Sequence, residues 1–446
     1  MLRHAVALAA VAMTAATAAA TTYQVGPSRP YTTLQQVAPL LGPGDVVEVD
    51  GGHTYPGDLV FTEAGTEAAP ITIRGVGASR PVLSGGTNTV TFESPWPYTA
   101  GADWYVFEGF EVTGGSFRCI YHQAADIVIR DTVVHDCPAH GILGADGGSG
   151  NLTLDRVEVY RSGSGGSQHQ IYMATDETNR PGSVFRMQNC YVHDGLGGNN
   201  VKSRAERNEI YSNWIEGATY HELELIGPDP SMPATLPRED SDVVGNVLRK
   251  VGTSFYVVRF GGDATGETAG RYRFVNNTVL AAGNAVFRMF DAVESIEMHN
   301  NVFVCIDGTG VDIMRTAEVN WSTGVEVIAG SNNWVETGST HIPTQWTGTI
   351  VGSDPGFVDL AGGDLRPAAG SPLIDSGSIS PQPPPGFPFT NPLFPPEFEP
   401  PLQTLPSAPT PRAATAAIDI GAYEHGGIFT DDFESGGTGA WSAVVP

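Results

Sequence analysis

The 446-residue sequence is short of charge, and of positive charge above all. Only 16% of its residues are charged, and 23 Lys and Arg face 49 Asp and Glu, a net charge of −26. Binding a polyanion needs clustered Lys and Arg to displace counterions, so this balance disfavours nucleic acid as a general partner. Cysteine is scarce too: the four at 119, 137, 190 and 305 are too few for disulfides to be the main support of a chain this long. None has zinc-ligand spacing. Cys119 and Cys137 lie on adjacent units of the repeat described below and are candidates to pair. Cys190 and Cys305 fall several units apart, beyond the ~7 Å Cα limit of a disulfide, and read as buried thiols. After residue 20 no run approaches the ~20 apolar residues of a membrane span.

What is abundant is glycine and proline, 55 and 33 residues, which interrupt helices and serve turns. Strands and loops are expected. Residues 1–20 run from Met1-Leu2-Arg3-His4 through an apolar stretch to Ala18-Ala19-Ala20, the layout of a secretory signal peptide with a small-residue cleavage site; a buried helix is the plainer alternative. The mature chain is expected to be secreted or held at the cell surface.

Tyr31 to Ala38 has helical apolar spacing and reads as a short amphipathic helix that caps the first layer of a solenoid. Gly44–Val49 and Pro70–Gly75 read as strands. From about residue 104 a repeat takes over: Ile129–Val134, Leu154–Val159, Met187–Val192, Ile210–Ile215, Val243–Leu248, Phe274–Val279 and Met298–Phe303 each carry an apolar residue first and sixth. Anchored on the fourth position, the units begin at intervals of 25, 33, 23, 33, 31 and 24 residues. A constant pattern at a variable period is expected when strands stack and the loops between them differ in length. Helical arrays would space their apolar residues by three to four, and a propeller would need about four strands per blade. Asn213, Asn246, Asn277, Asn301 and Asn333 form one column; asparagine tolerates left-handed backbone and bonds to its copy one layer away, so the column reads as architecture. Residues 380–412 are too rich in proline to continue a ladder and read as an extended loop. Ile418–Glu424 returns to strand pattern and is expected to close the last coil, leaving 426–446 as a short tail.

A second overlay isolates a functional face. His140-Gly141-Ile142-Leu143, His169-Gln170-Ile171-Tyr172, Asn199-Asn200-Val201-Lys202, His221-Glu222-Leu223-Glu224 and Tyr256-Val257-Val258-Arg259 are copies of one short strand. Stacked, they put Ile142, Ile171, Val201, Leu223 and Val258 inward. A period of two then sends Tyr121, Leu143, Tyr172, Lys202, Glu224, Arg259, Arg288 and Arg315 to the opposite face. His140, His169 and His221 recur at strand entrances, with Asn199 between them, where a satisfied structural stack is the plainer reading.

The cap followed by Pro43-Gly44-Asp45-Val46-Val47, the Pro70–Gly75 strand, the Asn-Asn-x-Val coils at Asn276 and Asn300, and Asp419-Ile420-Gly421-Ala422-Tyr423-Glu424 resemble the right-handed parallel β-helix superfamily, the pectate-lyase-like fold. The resemblance covers residues 22–425 and implies an all-β, right-handed parallel β-helix. His169–Tyr172, Val201–Ala205 and Glu222–Leu225 are similar to a bacterial exported subgroup related to alginate and chondroitin lyases. That likeness implies a Lys-Ser strand lysine as base, here Lys202, an assisting arginine, and acidic residues that hold calcium, here Glu222 and Glu224. The first arginine in the column is Arg259, two coils on. The tail resembles short tails on exported proteins of some Gram-negative bacteria.

β-Elimination on a uronate polymer asks for a neutraliser of the carboxylate, a base for the C5 proton and a donor for the leaving oxygen. Lys202, Tyr172, Arg204 and Arg259 are the candidate catalytic residues, and Arg204 beside Lys202 favours the neutral amine a base requires. His169, Gln170, Asn200 and Arg288 are the candidate substrate contacts. The expected partner is an acidic polysaccharide and the expected state a monomer. Two alternatives stand beside this reading: a glycoside hydrolase using Glu222 and Glu224, or a carboxylate across the groove, as acid and base, or a non-catalytic surface solenoid that binds glycan or spaces another module. Lys202 and Glu224 also fit a simple cross-strand ion pair.

Overall fold

The computed structural model describes residues 20–227, 239–252, 254–262, 270–283, 285–289, 293–316, 327–389, 394–413 and 417–426. The signal-peptide and tail expectations, and most of the insert after Leu225, lie outside them. The chain is a parallel β-helix. Each coil contributes a strand to the ladder sheet and one strand to each of two side tracks. Pairing between coils is parallel throughout the stack, as in Ile171–Ala174 on Val201–Arg204 and Val184–Gln188 on Arg207–Tyr211.

Among the described residues the ladder sheet has ten strands, from Leu59–Phe61 at one end to Asp312–Thr316 at the other. The side tracks merge in two long strands, Ile127–His135 and Leu152–Tyr160, each of which pairs along both tracks. A closed parallel stack of this kind buries one face of every strand. Ile120, Ile142, Ile171, Val201, Leu223, Val258 and Phe287 are fully buried in one core cluster, so alternation in the sequence becomes inside and outside in the fold.

The residues between the two side tracks turn by means of asparagine. Asn213 N donates to Asn246 Oδ1, Asn246 N to Asn277 Oδ1, Asn277 N to Asn301 Oδ1 and Asn301 N to Asn333 Oδ1, each at 2.9 Å. The left-handed backbone falls one residue earlier than expected, on Asn189, Ser212, Asn276, Asn300 and Asn332, at φ 53° to 57°. The column asparagine supplies hydrogen bonds and its predecessor the turn.

Two other expectations are refined. The capping segment forms two single 3-10 turns, Leu34–Gln36 and Ala38–Leu40, with Pro39 at the start of the second; Leu34 and Val37 nevertheless seal the first layer. Ile418–Glu424 does not close the last coil as a strand. It makes one isolated bridge, Gly377 to Ile418, and lies sideways, where Ile420, Ala422 and Tyr423 pack with Trp214, Val247 and Trp334. The proline-rich loop runs along the same flank: Arg156 donates to Ser407 O and Ser212 to Phe398 O. Cys119 and Cys137 are disulfide-bonded, and Cys190 and Cys305 are buried thiols. No helix among the described residues is long and apolar enough to cross a membrane.

Candidate functional site

The outward column of the ladder sheet is in register as the spacing requires. Tyr121 pairs Leu143, Leu143 pairs Tyr172, and the series continues through Lys202, Glu224, Arg259, Arg288 and Arg315 without a slip. At adjacent strand positions roughly 4.8 Å apart, this sets an aromatic group, a cation, an anion and further cations along one flank. The chain has only two lysines, Lys202 and Lys250, and both belong to this region.

Glu224 is the hub. Fully buried, it contacts the Arg259 guanidinium, accepts from Asn199 Nδ2, and has Lys202 Nζ at 3.9 Å. Lys202 Nζ also lies 5.3 Å from the centre of the Tyr172 ring, a cation-π distance. Arg204 Nε donates to the Tyr172 hydroxyl at 3.0 Å, and its Nη1 to Gly227 O at 2.7 Å. An arginine only donates, so the phenol oxygen is the acceptor and its O–H remains a donor. Tyr172, Lys202, Arg204, Glu224 and Arg259 are thus brought together. Arg288, beside Arg259 in the register, sits 5.8 Å from the Tyr256 ring centre.

The strand entrances hold two further columns. In one, His140 Nδ1 accepts from His169 N, His169 Nδ1 from Asn199 N, and Asn199 Oδ1 from His221 N, at 2.9 to 3.0 Å; His221 Nδ1 donates to Tyr256 O. His169 therefore spends Nδ1 on the backbone of the next coil. Burial is the first cause that holds His140 down at about 4 and His221 at about 3, with nearby Arg118 and Arg259 adding to it respectively. Both rings are neutral.

The other column is Gln170, Asn200 and Glu222, all fully buried. Gln170 Nε2 donates to Asn200 Oδ1 at 2.8 Å and Asn200 Nδ2 to Glu222 Oε2 at 2.7 Å. Gln170 and Asn200, expected as substrate contacts, are interior hydrogen-bonding groups. Each stands one residue before its strand, where alternation has not begun. The same displacement separates Glu222 from Glu224. Its carboxylate turns back to Ala218 N at 3.1 Å and lies 3.8 Å from Lys250 Nζ, whose ammonium donates to Ala218 O and Tyr220 O. Burial pushes the Glu222 carboxyl up and the Lys250 ammonium down, and each opposes the other's shift.

Sequence reasoning missed Lys250, which comes from the end of the side-track strand Val247–Lys250. The pair Arg249-Lys250 closing a strand that opens with Val247 and Leu248 was the available signal. The pairing of Glu222 with Lys250, and of Glu224 with Lys202 and Arg259, does not fit calcium, which takes six to eight oxygen ligands. Among the described residues no cluster of three or more His, Cys, Asp or Glu has an arrangement suited to a metal. The two glutamates have separate partners, Asn200, Ala218 and Lys250 for Glu222 and Asn199, Lys202 and Arg259 for Glu224.

No family model matches the chain, and no curated protein matches it. Solved structures similar to it include the pectate lyase Pel9A, at TM-score 0.47 and 13% identity over 91% of this chain and 96% of that one. An alginate lyase from a Paenibacillus species is similar at TM-score 0.42 and 17% identity, over 75% and 98% of the two chains. A rhamnogalacturonan lyase gives 0.45 and 14%, over 70% and 87%. At these identities the likeness is one of fold; the parallel β-helix itself rests on the strand pairings above.

Proposed function

We propose that the chain is an exported carbohydrate-active enzyme that cleaves an acidic, uronate-containing polysaccharide by β-elimination along the ladder face. The observation that carries this reading is the in-register run Tyr172, Lys202, Glu224, Arg259, Arg288 in a chain otherwise poor in cations. Arg259 and Arg288 supply guanidiniums for sugar carboxylates, a planar fork matched to a planar anion. Glu224 pins Arg259 and stands beside Lys202, so the cations are oriented before substrate arrives. Lys202 gives its resting proton to solvent and, as the neutral amine, takes the C5 proton. Tyr172, oriented by Arg204 through its oxygen, gives a proton to the departing glycosidic oxygen. The bond from C4 to that oxygen breaks as the C4–C5 double bond forms, so atoms and charge balance without an external reagent.

The test is a screen of the full chain against pectate, alginate and glycosaminoglycans, beside Lys202→Ala. The parent is expected to release an unsaturated, ultraviolet-absorbing end, and the variant to be slower by at least ~100-fold, the usual scale of a lost general base. A variant that cleaves as well as its parent removes Lys202 from the chemistry. New reducing ends without unsaturation make the enzyme a hydrolase, and an intact polymer makes it a binding protein.

A further inference from the structure

Away from the ladder, the first side track carries a cleft of about 430 Å³, within the size range of small-molecule sites. Two columns build it. Val106, Val128, Thr153, Arg186 and Glu209 are successive outward positions in parallel register. Beside them lie Trp104, Asp126 and Asn151, the residues immediately before the strands that begin at Tyr105, Ile127 and Leu152. Trp104 and Asp126 both have left-handed backbone, at φ 63° and 61°. For a residue as bulky as tryptophan that conformation is strained, and it is held by Trp104 N donating to Ala125 O and Ile71 N donating to Trp104 O, both at 3.0 Å. The strained turn leaves the indole partly exposed on the cleft wall, next to the half-exposed Val106, Val128 and Val184.

The rim is polar and net negative. Asn151 Nδ2 donates to Asp126 Oδ1 at 2.7 Å and Asn151 Oδ1 accepts from Val184 N at 2.8 Å. Arg186, the cleft's one cation, is paired with Glu209 at 2.6 Å. Glu67 adds a further carboxylate. An apolar wall with one flat aromatic, edged by acceptors, fits a ring that has C–H faces and hydroxyl donors. A net negative edge repels carboxylated or sulfated sugars. We propose that this cleft is a second saccharide site, one that holds a short run of a neutral glycan while the ladder face engages acidic sugar.

Isothermal titration of the full chain with neutral oligosaccharides (xylohexaose, cellohexaose, mannohexaose) and, separately, tetragalacturonate tests it. At least one neutral oligosaccharide is expected to bind. Its affinity is expected to fall at least ~10-fold, about 1.4 kcal/mol, in Trp104→Ala and in Thr153→Trp, and to stay unchanged in Lys202→Ala. Thr153→Trp fills the cleft from the sheet surface without touching the Trp104 turn, so it decides the matter if Trp104→Ala fails to fold. The proposal is overturned if no neutral oligosaccharide binds at millimolar concentration, if Thr153→Trp binds as the parent does, or if tetragalacturonate is the ligand that Thr153→Trp displaces. Uronate cleavage on the ladder is read separately from product release, so the two sites stand or fall independently.

Discussion

Glu224 sits between a lysine and an arginine with no exposure of its own, so its charge compensates both cations and orients them. Removing one partner of a buried ionic group leaves uncompensated charge in a poorly solvated place, which typically costs several kcal/mol. Glu224→Gln is therefore expected to destabilise the chain by about 3 kcal/mol in denaturant titrations. Lys202→Ala in the Glu224→Gln background is expected to recover part of that loss, because the orphaned cation is gone. Additive effects of the two substitutions would mean that the 3.9 Å contact carries no coupling.

At the scale of the element, the asparagine column makes a stability prediction. Asn246 is fully buried, and its side chain accepts from Asn213 N at 2.9 Å and donates to Ile210 O at 2.8 Å. Asn246→Ala strands both of those backbone groups between coils, at about 1 to 3 kcal/mol each. We expect an unfolding free energy lower by about 3 kcal/mol and faster amide exchange in the neighbouring coils.

The histidine column predicts a pH dependence. Burial, with Arg259 behind it, holds His221 at about 3 in the folded chain, far below the ordinary imidazole value of ~6.5. Between these values the unfolded chain takes up a proton that the folded chain refuses. The contribution of His221 is therefore complete above that range and is lost as pH falls through it. His221→Gln is expected to lose less stability than the parent between pH ~6.5 and 4, read as the difference between their melting curves. Glu177 and Asp242, raised by burial to about 7 and 6, slope the other way in both proteins and cancel in that difference.

These elements also mark what the sequence made legible. Tyr172, Lys202, Glu224 and Arg259 were found in their correct register because alternation inside a strand is set by the pleat alone. Gln170, Asn200 and Glu222 were misplaced because they precede their strands, where turn geometry, not period two, aims the side chain. Lys250 was missed because its partner, Glu222, arrives from another sheet of the previous coil. The Ile418–Glu424 segment has strand composition, but its place was decided by the tryptophan-lined flank it covers.

For the whole molecule the governing fact is a net charge of −26 around a flank that gathers cations. An acidic polymer approaching such a chain is repelled at long range and attracted only once it reaches the ladder. Salt acts on these two terms differently, because the Debye length is about 30 Å at 0.01 M and about 10 Å at 0.1 M. Modest salt screens the distant repulsion first, while contact pairs at the half-buried ladder weaken only at higher salt. The rate constant kcat/KM on an acidic polysaccharide is therefore expected to rise several-fold between ~0.01 M and ~0.1 M salt and to fall again toward ~1 M. Binding of a neutral oligosaccharide at the Trp104 cleft is expected to stay flat over the same range, since no net charge is brought together there. A monotonic fall of kcat/KM from the lowest salt upward would mean that the ladder's local field, and not the chain's overall charge, controls the approach.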